Sequence, residues 1–184
     1  MGLGRGYEGQ DCSLARSLEL IGERWTLLVV RDAFFGVRRF RDFVAHLDVP
    51  RAVLASRLHD LVQAGVLQKQ PCGQGSAREE YVLTAMGREL WPAVYALSQW
   101  GERYLTTGGR RRVFRHAECG TGLDAAGNCP HCGRWIAVDE IEVLPGPGLN
   151  LQGRTDAVSL ELRLPHRLLT PLQTRPELEQ PEAE

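Results

Sequence analysis

The sequence predicts an α+β fold on three observations. Residues 38–65 read as two short amphipathic helices joined by a tight turn, RRFRDFVAHL, DVP, RAVLASRLHDLVQAG. Residues 66–83 read as a hairpin, two short strands around the turn-rich stretch PCGQGSARE. His116 with Cys119 and Cys129 with Cys132 form two pairs, each with two residues between its members. Helix, turn, helix, hairpin is the order of a winged helix-turn-helix. The expected architecture is that unit with a long C-terminal helix, followed by a small Cys-rich β appendage.

Taken in order, residues 1–10 are glycine-rich and expected to be loose. Asp11 or Ser13 can cap a first helix running to about Leu20, with Leu14, Leu18 and Ile21 apolar. After Gly22 the dense apolar run WTLLVVRDAFF, 25–35, suits a helix buried against the reading unit, with Trp25 filling core. Phe40, Phe43, Val44 and Leu47 share one face of the next helix at three- and four-residue spacing. Asp48-Val49-Pro50 makes the turn, since proline restricts the residue before it and suits a helix start. Val53, Leu54, Leu58, Leu61 and Val62 form the stripe of the second reading helix, 51–64, which Gly65 stops. Tyr81, Val82 and Leu83 have the content of a returning strand. Thr84 caps a long helix over 85–105, in which Leu90, Val94, Leu97, Gly101 and Tyr104 track one face and Trp91, Tyr95 and Trp100 broaden it. Pro92 falls inside this pattern and is expected to bend it. So much aromatic surface needs a partner, either the first helix or a symmetry mate.

Composition changes after TTGGRRR, 106–112, which reads as a linker. His116-x2-Cys119-Gly and Cys129-x2-Cys132-Gly resemble two zinc knuckles joined by a short loop. Each turn points two ligand atoms at one centre, and His116, Cys119, Cys129 and Cys132 would fill the four corners of a tetrahedron. With no corner left for a substrate, the expected role of zinc is structural. The alternatives are a metal-free fold and a dithiol–disulfide pair. Val158, Leu160, Leu162 and Leu164 alternate with polar residues and suggest one amphipathic strand. The expected division is 11–107 for the winged unit, 113–168 for the ribbon-like unit, and 171–184 as a disordered acidic tail.

Residues 12 to about 107 resemble the HxlR-type winged-helix regulators, near the MarR-like repressors. The matching pieces are CSLARSLELIGERWTLLVVRD at 12–32, FRDF at 40–43, VLASRLHDLVQAGVL at 53–67 and REEYVLTAMGREL at 78–90. The resemblance implies a bacterial, cytoplasmic homodimer, joined through terminal helices, that binds double-stranded operator DNA at an inverted repeat, by default as a repressor. It also implies a second possibility: some such regulators sense oxidants or electrophiles through a cysteine at the position of Cys12. A small-molecule effector is compatible with the family and is not identified by the sequence.

The residues themselves nominate the DNA contacts. Arg51, Ala52, Ser56 and Arg57 lie on the outer, N-terminal part of the second reading helix, where Arg can grip guanine or phosphate. Arg38 or Arg39 would hold the backbone near the first helix, and Lys69 and Arg78 flank the wing. Glu79 and Glu80 beside Arg78 argue against deep insertion of the wing. Net charge is −1 over 184 residues, so charge alone does not announce nucleic-acid binding. Residues 1–110 carry 14 basic and 12 acidic side chains and the remainder 8 and 11, which places the modest positive excess in the front part. The start lacks a signal-peptide pattern, no run is long enough to span a membrane, and no nucleotide loop, nucleophile elbow or metalloprotease motif points to an enzyme. A zinc-bearing interaction module without direct DNA binding is the competing class.

Overall fold

The computed structural model describes residues 6–7, 9–73 and 78–174. Four helices open the chain: α1 (Ser13–Ile21), α2 (Thr26–Phe34), α3 (Phe40–Leu47) and α4 (Arg51–Gln63). An antiparallel pair follows, β1 (Leu67–Pro71) and β2 (Glu79–Leu83), in register from Leu67↔Leu83 to Pro71↔Glu79. The short α5 (Ala85–Arg88) and the longer α6 (Trp91–Tyr104) complete the winged unit. Its reading helices turn where Asp48 takes a left-handed conformation, φ 52°, and its N–H closes on the Val44 carbonyl at 2.9 Å. Leu54, Leu58 and Leu61 of α4 are fully buried, whereas Val53, expected in the same stripe, faces solvent. The helical spacing i, i+4, i+7 selects the first three and leaves position 53 outside the arc.

Pro92 does not bend a continuous helix. The expected single helix is two, and Pro92 sits in the first turn of α6, where its missing N–H costs no hydrogen bond. Thr84 caps α5 as expected, its hydroxyl oxygen accepting the Gly87 N–H at 3.1 Å. At α1 the N-cap is Cys12, with no side-chain cap bond, and of the described helix only Ala15 is buried. Leu14 and Leu18 are exposed in the single chain.

The appendage consists of β3 (Arg112–His116), β4 (Asn128–Cys129), β5 (Arg134–Trp135), a 3-10 turn at Val138–Glu140, β6 (Ile141–Pro145), α7 (Ala157–Glu161) and β7 (His166–Arg167). Strand order in its larger sheet is β3-β6-β7, and β4 pairs β5. The alternating segment at 158–164 is not the expected strand: it is the helix α7 through Glu161, followed by a turn. Val158 and Leu162, four apart, are both buried, and Leu160 and Leu164 are exposed. Asp156 decides between the two readings by accepting the Ser159 N–H at 2.9 Å as an N-cap.

One hydrophobic cluster runs through both parts of the chain. Trp91 stands edge-on to Phe34 (centroids 5.1 Å) on one side and to Phe114 of β3 (5.5 Å) on the other, with Tyr95 5.4 Å from Phe114. The C-terminal stretch then returns to the winged unit. Leu169 N–H donates to the Phe34 carbonyl at 2.7 Å, Leu172 N–H to the Gly36 carbonyl at 3.1 Å, and the Thr174 hydroxyl to the buried Asp42 carboxylate at 2.8 Å. Gly36 (φ +88°) is required here, because a Cβ would lie 1.8 Å from the Thr170 carbonyl oxygen. Residues 171–174 are therefore anchored rather than part of a disordered tail. The acidic stretch 175–184, like the wing tip 74–77, lies outside the described residues.

Asp32, fully buried in α2, ties α3 to this core. Its carboxylate takes the Arg31 guanidinium at 2.6 Å and meets His46 Nδ1, in the last turn of α3, at 2.7 Å. Burial opposes ionisation of Asp32, but Arg31 and His46 outweigh it and hold the carboxyl below its ordinary range. Because the folded value is depressed, the stabilisation is complete above the unfolded-chain value of about 4 and is lost as pH falls through the lower folded value. Asp32→Asn is expected to cost on the order of 3 kcal/mol at neutral pH and to flatten the acid limb of the stability profile. Urea unfolding of both proteins at pH 7 and pH 3 measures both effects; equal pH dependence would refute the assignment.

Candidate nucleic-acid interface and metal cluster

The outer face of α4 is open. Arg51, Ala52, Ala55, Ser56 and His59 are exposed, because the inward positions 54, 58 and 61 consume the apolar side of the helix. Arg51, exposed, lies over the Phe40 ring with its guanidinium carbon 6.0 Å from the centroid. Arg57 is half-buried. Its guanidinium donates to Ser56 Oγ at 3.1 Å and pairs with Asp60 at 3.3 Å and Glu23 at 3.8 Å. Three of the expected contacts therefore share one exposed face, and Arg57 is held beside them by its own neighbours.

Arg38 and Arg39 sit elsewhere. Glu80 of β2, 9% exposed, receives Arg39 Nε at 3.4 Å and lies 3.9 Å from the Arg38 guanidinium. Arg38 also donates to the Leu169 carbonyl at 3.0 Å, and Arg39 to Cys72 Sγ at 3.6 Å. The Cys72 thiol donates to Glu80 at 3.0 Å. Both arginines thus brace the base of the wing and the returning C-terminal stretch. Strand alternation, which turns Glu80 inward and Glu79 outward, already marks Glu80 for an internal contact; sequence reasoning missed that its partners are Arg38 and Arg39. Lys69 and Arg78 are exposed on the wing, and Lys69 pairs with Glu79 at 2.7 Å. Cys12 is exposed at the start of α1, apart from these groups.

The appendage brings the four expected ligands together. The ligand atoms of His116, Cys119, Cys129 and Cys132 all lie within 4.8 Å of one another, a group able to hold a metal ion. His116 Nδ1 is 3.2 Å from Cys119 Sγ and 3.4 Å from Cys132 Sγ, and Cys119 Sγ is 3.4 Å from Cys129 Sγ. Two equivalent turns create this convergence. Gly120 N–H closes on the His116 carbonyl at 2.8 Å, and Gly133 N–H on the Cys129 carbonyl at 2.9 Å. Both glycines have positive φ, +72° and +65°, the conformation that brings each turn back under its ligand pair. His131, between two ligands in sequence, points to solvent and is not among them. Thr121 hydrogen bonds, with help from Cys129 and His116, lower the Cys119 thiol to about 6. Desolvation and the neighbouring thiols raise Cys132 to about 11. Three clustered sulfurs thus resist becoming anionic together unless a cation stands between them.

Comparison with known proteins agrees with the geometry of the winged unit. The model of the HxlR-like helix-turn-helix matches residues 20–108. The HTH-type transcriptional regulator Rv3095 of Mycobacterium tuberculosis, itself uncharacterised, is 45% identical over 143 residues, 77% of this chain and 89% of the relative. The chain belongs to the HxlR-like helix-turn-helix family. More distant in the same family is YdeP of Bacillus subtilis, 28% identical over 63% of this chain and 94% of its own length. Among solved structures, PA1607, a candidate transcription factor, superposes with a TM-score of 0.60 at 33% identity, over 73% of this chain and 94% of its own. This HxlR-like protein is a transcriptional regulator with a winged helix-turn-helix. Among its described residues no helix is long and apolar enough to cross a membrane.

Proposed function

We propose that the protein acts as a homodimer on an inverted-repeat operator, with α4 in the major groove of each half-site and the wing against phosphate. The observation that carries this reading is the exposed N-terminal face of α4, where Arg51, Ala52 and Ser56 stand together over a fully buried Leu54–Leu58–Leu61 stripe. Arg51 and Arg57 supply forked donors for guanine or phosphate, Ser56 adapts to either, and Ala52 fits a thymine methyl. Lys69 and Arg78 approach phosphate from the wing. Arg38 and Arg39 act indirectly, by holding the wing through Glu80. Where the operator overlaps the polymerase site, occupancy represses. A footprint on the promoter upstream of the protein's own coding sequence, at stated salt, supplies the site. Arg51→Ala is then expected to weaken binding about tenfold while the melting curve is unchanged. Unaltered affinity would remove Arg51 from the interface.

The dimer reading rests on α6. Its Trp91 and Tyr95 face inward, whereas Leu97, Trp100 and Tyr104 are exposed in the single chain, Trp100 at 53% and Tyr104 at 63%. A helix that is apolar on both sides needs a partner on the outer one. Charge placed there, Leu97→Glu with Trp100→Glu, is expected to convert the dimer to monomer by light scattering and to abolish the operator shift. A dimer that persists would place the interface elsewhere.

The four-ligand cluster suits structural zinc. A zinc–sulfur bond of about 2.3 Å sets tetrahedral edges of roughly 3.8 Å, close to the 3.2–3.8 Å separations between neighbouring ligand atoms. His116 would bind through Nδ1, and zinc would supply the charge that lets three thiolates coexist. Elemental analysis is expected to give about one zinc per chain, lost in Cys129→Ser with a lowered melting temperature. Purified protein that is metal-free and equally stable would exclude this role.

A further inference from the structure

A cavity of about 370 Å³ lies between α2, α6 and the appendage, with Arg31, Phe35, Glu102, Arg111, Arg112 and Phe114 on its walls. Its volume falls near the lower end of small-ligand sites. Its ionisable groups are unequal, with three arginines and His46 of α3 facing one carboxylate. That carboxylate is already engaged: Glu102 accepts the Arg111 N–H at 2.7 Å and the Thr106 hydroxyl at 3.1 Å. The Arg111 guanidinium is held by the carbonyls of Thr107, at 2.9 Å, and Gly109, at 2.7 Å. Arg31 is paired with Asp32.

Arg112 differs. Among the described residues no carboxylate lies within ion-pair distance of it; its guanidinium donates to the Leu162 carbonyl and sits over the Phe35 ring at 5.8 Å. Burial, and then the charge of Arg31, push it down to about 10 against the smaller opposing pull of the Asp32 carboxylate, which is itself engaged by Arg31 and His46. A half-buried guanidinium facing a cavity without a counterion calls for an anion. The rings of Phe35 and Phe114 beside it call for a flat apolar body.

We propose that this cavity binds a small aromatic carboxylate, its carboxylate on the Arg112 guanidinium and its ring against Phe35 and Phe114. Binding also reaches the reading unit. Arg31 is shared between the cavity and Asp32, and Asp32 holds His46 in the last turn of α3. A carboxylate that draws Arg31 toward the cavity loosens this triad, so occupancy and the placement of α3 are linked. This second step rests on the DNA-reading assignment above; the binding step does not.

The test uses the full chain and the fluorescent probe 1-naphthoate, titrated first without DNA. Saturable binding is expected, at least about tenfold weaker for Arg112→Gln, as befits loss of a charge-assisted contact. The neutral isostere 1-naphthalenemethanol and inorganic phosphate are expected to bind at least about tenfold more weakly than naphthoate, since each satisfies only one half of the site. Leu149→Trp narrows the cavity from its loop wall and is expected to weaken binding by a similar factor, which keeps the test decisive if Arg112→Gln lowers the melting temperature. Equal affinity for the alcohol or for phosphate, or no loss in Leu149→Trp, would overturn the site. With DNA present, saturating naphthoate is expected to reduce operator affinity several-fold in the native protein and not in Arg112→Gln; an unchanged affinity would overturn the coupling. Failure of the native protein to shift DNA without any probe is a failure of the earlier assignment and is read separately.

Discussion

The alternation of β3 places three tasks on one face of a five-residue strand. Arg112 lines the cavity, Phe114 packs on Trp91 and Tyr95, and His116 enters the four-ligand cluster. Side chains two apart in a strand point the same way, so none of the three can change sides without the others. Pairing with β6 from Arg112↔Pro145 to His116↔Ile141 pins that register, and the Arg115–Glu142 ion pair guards the opposite face. A one-residue slip would exchange Phe114 for Arg115 in the aromatic junction and remove His116 from the sulfurs. The junction and the ligand cluster thus depend on the same backbone position.

This arrangement explains why the appendage is more than an attachment. The winged unit lends it Trp91 and Tyr95, and the returning stretch from Leu168 to Thr174 covers the α2–α3 turn in exchange. Tyr95 illustrates the mutual dependence. Its hydroxyl donates to the Asp124 carbonyl in the appendage at 2.7 Å, and burial pushes its phenol up to about 12, so it stays a neutral donor throughout the physiological range. A metal ion in the ligand cluster would steady His116 and, along the same strand, Phe114 and Arg112. Stability at one end of β3 would then reach the cavity at the other.

Much of the winged unit was legible because its determinants are local. Leu54, Leu58 and Leu61 repeat at helical spacing, Thr84 is a cap residue before a helix, and the two knuckles announce themselves by glycine after each second ligand. What escaped was decided at a distance or by competition between periods. The run 158–164 satisfies period two in composition and period four in burial, and only the Asp156 cap separates them. Pro92 was read as an interruption because nothing local distinguishes a proline inside a helix from one that starts the next. Arg112 could not be singled out, and Glu80 and Asp32 could not be given their full sets of partners, since these lie as far away in sequence as Phe35 for Arg112, Arg38 and Arg39 for Glu80, and His46 for Asp32.

The internal use of arginine also bears on how a protein of net charge −1 reads DNA. Arg31, Arg38 and Arg39 are committed to core contacts, and Lys69 is neutralised in place by Glu79. The basic excess of the front part is thus largely spent on holding the fold, and the field left over for unselective attraction to phosphate is small. On the DNA-reading proposal, discrimination then falls on contacts to base edges from the exposed group Arg51, Ala52 and Ser56 of α4. A regulator built this way gains specificity from the position of one helix. On that same proposal, a shift of this helix relative to its core, through the α3 turn that the buried Asp32 secures, would change DNA reading without altering any residue that touches DNA.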